Sequence, residues 1–199
     1  MTMTAAATIR ATPARSFVRV DALPGGPVAA RKAASRAAKT GVLVPVRRGL
    51  YYRGVPTRYG MTKPRAEEVA REVLGDRGVG PTGYSAARVW GVTTQVPPVL
   101  HLAALFPSDP IPGIKQSSRR NPARLELNSL EIALLELLRE PELLVEAGWD
   151  VLVDRVRQAA REGSIRLDVL KAAVPGESSV AAREHFARLL DGLGPDSHG

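Results

Sequence analysis

Small apolar and polar residues sort onto two sides of a helical repeat between Pro27 and Thr40. Ala30, Ala34, Ala37 and Ala38 recur at the three- and four-residue spacing that places them on one face. Arg31, Lys32, Ser35, Arg36 and Lys39 populate the other side, with Arg31, Ser35 and Lys39 in a single i, i+4 row. Pro27 suits the first helical position and Gly41 the stop. Small inner residues let such a helix lie close to its support and leave its long basic side chains projecting. Past Gly41 the pattern changes to short β-prone runs. Val42-Leu43-Val44 and Gly49-Leu50-Tyr51-Tyr52, joined by Pro45-Val46-Arg47-Arg48, predict a hairpin tipped by Arg47 and Arg48. Helix, Gly turn and hairpin in this order are the parts of a winged helix-turn-helix, in which one helix enters the major groove of duplex DNA and the wing grips phosphates.

Four blocks follow from the same reading. Residues 1–15 are an arm or a weak first helix. Within 16–54, SFVRV (16–20) predicts a short strand, and Asp21 is placed to cap a one-turn helix that Pro24-Gly25-Gly26 ends. A Gly/Pro-punctuated linker covers 54–63, and PRAEEVAREVLG predicts a helix from Pro64 to Gly75. PTGYSAARVWGVTTQVPP (81–98) reads as a turn, a short helix and a loop, VLHLAALF (99–106) as a buried strand, and 111–124 as a Pro/Gly-broken basic segment. From 125 to 193 the chain is helical. LELNSLEIALLELLRE is apolar around so much of its circumference that it must be buried between neighbours or against a partner. The predicted class is α+β: a winged helix-turn-helix in residues 1–60, then a small mixed α/β layer and a mainly helical region in 61–199.

Charge locates the expected chemistry. Residues 1–60 hold eleven Lys/Arg against the single acid Asp21, whereas residues 125–199 hold eight against fourteen acids. A basic front and an acidic back suggest a nucleic-acid-binding half and a half with another partner. Arginine outnumbers lysine 23 to 5, and arginine suits bidentate contacts to phosphate and guanine. Cysteine is absent, which excludes disulfides and thiol chemistry and fits a reducing, cytoplasmic compartment. No apolar run approaches the roughly 20 residues that span a bilayer, and the opening MTMTAAATIRATPARS lacks a secretory core.

Enzymatic alternatives have weak carriers. Gly83-Tyr84-Ser85-Ala86-Ala87 approaches a nucleophile elbow but ends in Ala, and its base would have to be His101, His185 or His198. Ser85 reads better as a residue near a helix start, and Trp90 and His101 as core-lining. Glu67, Glu68 and Glu72 lie beside Arg65 and Arg71 as on a solvated helix face. Neither HExxH nor GxxxxGK[ST] occurs, and 81–199 contains no Glu-x-Lys or Asp-x-Lys of a restriction-like nuclease. The expectation is a non-enzyme with no catalytic residue, cofactor or metal.

RKAASRAAKTGVLVPVRRGLYY resembles the N-terminus of the AbiEi-type antitoxins of type IV toxin–antitoxin systems, with Ala34 and Ala37 where the family tends to carry leucine. PTGYSAARVWGVTTQVP is similar to the family's second signature, with Val92 in place of a leucine, and SLEIALLELLREP and EHFARLLDGLG resemble its helical C-terminal region. The resemblance spans about residues 16–193. It implies an antitoxin that represses its own operon through the winged helix and counteracts a nucleotidyltransferase-like toxin through its C-terminal domain, with or without a stable complex. The other reading is a winged-helix regulator that senses a ligand through 64–193. The expected DNA contacts are Arg31, Lys32, Ser35 and Lys39 in the major groove and Arg36, Arg47 and Arg48 on phosphates of double-stranded operator DNA. A homodimer on an inverted repeat is the expected arrangement. Arg10, Arg15 and Arg19 are candidate arm contacts, and Arg53 belongs either to the wing or to solvent beyond it.

Overall fold

The computed structural model describes residues 3–194, so His198 and the polar tail around it lie outside the described residues. The chain is α+β and divides into two compact units, residues 1–72 and 73–199. The division falls inside a helix, α3 (Ala66–Leu74), and not at residue 60.

The first unit opens with α1 (Ala5–Ala11), capped by the Thr4 hydroxyl accepting from the Ala7 N–H at 3.3 Å. Strand β1 (Ser16–Arg19) follows, then a 3-10 turn at Val20–Ala22, α2 (Pro27–Lys39), β2 (Val44–Arg47) and β3 (Leu50–Arg53). Asp21 sits within the 3-10 turn, whose cap position is Arg19, so its expected capping role is not taken up. The three strands form an antiparallel sheet in the order β1-β3-β2. Ala5, Ile9, Val18, Leu23, Ala30, Ala34 and Leu43 make the core beneath it. The stretch read as a linker contains a second hairpin, β4 (Pro56–Thr57) and β5 (Gly60–Met61).

The second unit is built around one helix. Strands β6 (Val79–Pro81), β7 (Leu100–Ala104) and β8 (Ile114–Ser118) form a sheet in which β6 runs antiparallel and β8 parallel to β7. Helices α4 (Gly83–Val89) and α5 (Ser129–Leu137) pack with that sheet, and α6 (Pro141–Leu144), α7 (Trp149–Arg161), α8 (Leu167–Ala173) and α9 (Val180–Leu193) complete the unit. Asn128 and Glu131 close a reciprocal capping box at the start of α5, and every residue of the helix from Glu131 to Leu137 is buried. Its all-round apolar pattern is therefore satisfied inside the unit, by β6, α4 and α9. Gly80 of β6 lies so close to α5 that a Cβ there would stand 2.7 Å from the Ile132 side chain and 2.8 Å from the Ser129 carbonyl oxygen.

Candidate nucleic-acid interface

Helix α2 is specified at both ends and along its inner face. Six alanines supply high helix propensity, and Pro27 occupies the first turn. At the other end the Gly41 N–H donates to the Ala38 carbonyl at 3.1 Å and the Val42 N–H to the Ala37 carbonyl at 2.8 Å. This is a Schellman closure, with Gly41 in the left-handed region at φ +73°. Ala30 and Ala34 are essentially inaccessible, which lets the helix pack closely on α1 and the 3-10 turn.

The opposite side carries the predicted contact residues. Arg31, Lys32, Ser35, Arg36 and Lys39 are all exposed. Among the described residues none of the four cations makes an ion pair or a side-chain hydrogen bond, whereas Arg19 nearby is paired with Glu72 at 3.1 Å. The face is therefore a row of positive charge with no internal counterion. Lys32 and Arg36 stand beside Arg10 on a groove of about 470 Å³ floored by Ile9, Ala33 and Ala37. Arg31 lies about 140° from Arg36 around the helix, on the other flank. Val28 is 63% exposed on this side. Sequence reading passed over it because an isolated valine at a helix start gives no periodic signal.

The hairpin differs in detail from its prediction. Arg47 is the last residue of β2, paired across from Leu50 and half-buried, and only Arg48 and Gly49 form the turn. Arg48 is exposed. The register slips between Pro45 and Arg47, and the Gly49 carbonyl accepts from the Val20 N–H at 2.9 Å. Arg19 of β1 is level with Leu50, so the turn is short and bound to the sheet beside it. Arg53 ends β3 and is half-buried, so it does not sit in solvent beyond the hairpin. Its guanidinium donates to the carbonyls of Ile9, Arg10 and Thr12, closing the C-terminal end of α1 with a cation.

Other sequence candidates resolve into structural roles. The Ser85 hydroxyl is buried and accepts the backbone N–H of His101 at 3.0 Å, not its imidazole. Burial and then Lys115 hold the His101 imidazolium below its ordinary value. Trp90 is buried and donates to the Leu130 carbonyl at 3.3 Å. Glu68 accepts from the Arg65 backbone N–H at 2.7 Å, and Glu72 is the partner of Arg19. The Thr93-Thr94-Gln95 loop is pinned by Glu146, which accepts from the Thr94 N–H at 3.1 Å; the Thr93 hydroxyl, then that N–H, hold its carboxyl below the ordinary range.

The basic segment 111–124 is partly consumed inside the second unit. Arg124 is fully buried, donating to Glu136 at 2.7 Å and through two nitrogens to Glu177 at 2.7 Å. Arg119 donates to both Glu136 oxygens at 2.8 and 2.5 Å, Thr82 to one of them at 2.6 Å, and Asn121 to Glu177 at 2.8 Å. Burial raises both carboxyls, but Arg119 hydrogen bonds to Glu136 and Arg124 hydrogen bonds to Glu177, together with the Arg124 charge, outweigh it and hold both below 4.5.

No protein-family model matches the chain, and no curated protein does. Among solved structures it is similar to the RV2827C protein from Mycobacterium tuberculosis, with a TM-score of 0.51 at 16% identity, over 96% of this chain and 75% of that one. At that identity the likeness is one of fold. No helix among the described residues is long and apolar enough to cross a membrane. The chain is thus an α+β protein with a known structural neighbour and a helix face of unpaired cations.

Proposed function

We propose that residues 1–60 act as a winged helix-turn-helix on duplex DNA, and that the chain is the antitoxin of a type IV toxin–antitoxin system that represses its own operon. The observation that supports this most is the unpaired basic face of α2, set in the element order α1, β1, turn, α2, β2, β3 with strand order β1-β3-β2. In this reading α2 is the recognition helix. Arg31, Lys32, Ser35 and Lys39 face base edges, and Val28 meets a thymine methyl. Arg36, Arg47 and Arg48 hold phosphates, which fix position and salt dependence more than sequence. Counteraction of a nucleotidyltransferase-like toxin is assigned to residues 73–199, on the resemblance of the Gly-Val-Thr-Thr-Gln-Val-Pro stretch (91–97) and the helical region to the AbiEi-type antitoxins.

The test is binding to the chain's own promoter over a salt series, with co-expression beside the neighbouring gene product. Arg47→Ala with Arg48→Ala weakens binding to all duplexes and flattens the dependence of log K on log salt by about two units. Arg31→Ala instead relaxes preference at one base pair, by about 1–3 kcal/mol. A full-length Arg31→Ala, Lys32→Ala, Arg36→Ala variant loses the promoter and still rescues cells from the toxin. Unchanged promoter affinity and slope in the wing double variant sink the wing assignment, and absence of rescue by the wild-type chain sinks the antitoxin one.

A further inference from the structure

The segment from Gly54 to Lys63 is a constructed hairpin. Its base is closed by the Val55 N–H donating to the Thr62 hydroxyl at 2.9 Å and the Thr62 N–H donating to the Val55 carbonyl at 3.0 Å. Gly54 lies so near that a Cβ would meet the Thr62 carbonyl oxygen at 2.1 Å, so only glycine allows this closure. Near the tip the Thr57 hydroxyl donates to the Gly60 carbonyl at 2.7 Å and accepts the Tyr59 N–H at 3.2 Å. These bonds hold up a turn made of Arg58 and Tyr59. Tyr59 is 84% exposed, and the Arg58 guanidinium lies over its ring, 4.6 Å from the centroid. Lys63 is exposed and has no partner among the described residues, and residues 55–65 contain three cations and no acid.

An aromatic ring left in water costs hydrophobic free energy, and Arg58 and Lys63 have no acidic partner among the described residues, whereas Arg65 pairs with Glu68. Both are accounted for by a polyanion. The register places the hairpin at the end of the sheet where the chain enters β2 from α2. Val44, where the chain enters β2 from α2, is paired with Tyr52, and the hairpin leaves β3 one residue past Arg53. The β2–β3 turn, at the other end of β3, is short and tied to Val20.

We propose that the β4–β5 hairpin is a second DNA-contacting wing, in which Arg58, Lys63 and the Tyr59 hydroxyl grip backbone phosphates of duplex DNA and the Tyr59 ring holds Arg58 in place. This rests on the reading of residues 1–60 as a DNA-binding unit. The test uses the full chain on its own promoter and on a scrambled duplex of equal length, over a salt series, with melting as the folding control. Arg58→Ala with Lys63→Ala weakens binding to both duplexes and lowers the salt slope by about two units. Tyr59→Ala weakens both about ten-fold, and Tyr59→Phe, which keeps the stack, loses less than half of that effect on a logarithmic scale. The hydroxyl-radical footprint shortens on one side only. If these variants bind as the wild type does while Arg47→Ala with Arg48→Ala loses affinity, the second wing is wrong and the first reading stands. If they lose a protein partner and keep DNA, the hairpin is a protein-docking element and the proposal is overturned. A wild-type chain without affinity for either duplex overturns both.

Discussion

At the scale of single residues, a count of charges and their placement say different things. Arg53, Arg119 and Arg124 all belong to basic stretches, yet each is committed inside the protein: Arg53 to the carbonyls ending α1, Arg119 and Arg124 to Glu136 and Glu177. Among the described residues Arg31, Lys32, Arg36, Lys39 and Arg48 have no such partners. The buried carboxylates carry a pH prediction. Their folded values lie below 4.5, so the unfolded chain binds more protons in acid, and their stabilisation is complete above 4.5 and is lost as pH falls through the folded values. Acid melting of the wild type is expected to begin below that pH. Glu136→Gln removes the carboxylate that Arg119 and Arg124 share and leaves Arg124 with Glu177 alone; it should cost about 3–5 kcal/mol at neutral pH and should flatten the acid limb. An unchanged acid limb in a circular-dichroism titration would count against the network.

At the scale of elements, the predictions that held were those with strong local signals. Helix α2 was legible because Pro27, Gly41 and the alanine period agree, and α5 because of its leucine run; the Asn128–Glu131 capping box that starts it came from the structure. The misses were short strands. Strand β6 is three residues containing Gly80, and β8 is the polar IKQSS, so neither shows an apolar alternation. Their pairing with β7 makes them strands. The β4–β5 hairpin escaped for the same reason, since two-residue strands between Gly and Pro read as linker until Thr62 is seen to close on Val55. Packing of β6 on α5 can be probed directly. Gly80→Ala forces a methyl against the Ile132 side chain and a backbone carbonyl, and overpacking of this kind costs about 1–3 kcal/mol, read as a lowered denaturation midpoint. A wild-type midpoint would show that the strand moves away from the helix with ease.

At the scale of the whole molecule, two separate cores divide residues 1–72 from 73–199. Each is expected to unfold as its own cooperative unit, giving two calorimetric transitions. Arg53→Ala should lower one of them and Gly80→Ala the other; a single transition moved by both would refute independent folding. The sequence by itself determined the α+β class, the basic front and acidic back, the extent of α2 and the cations on its outer face. These depend on local period, capping residues and composition, all of which act over a few residues. Only the tertiary structure decided which cations were consumed: Arg124 and Glu177 are far apart in sequence and lie 2.7 Å apart in space. It likewise turned residues 54–63 from a linker into a hairpin and tied the β2–β3 turn to the sheet. Those outcomes depend on contacts between distant segments, where burial raises the cost of an unpaired charge and so fixes which charges remain for a partner.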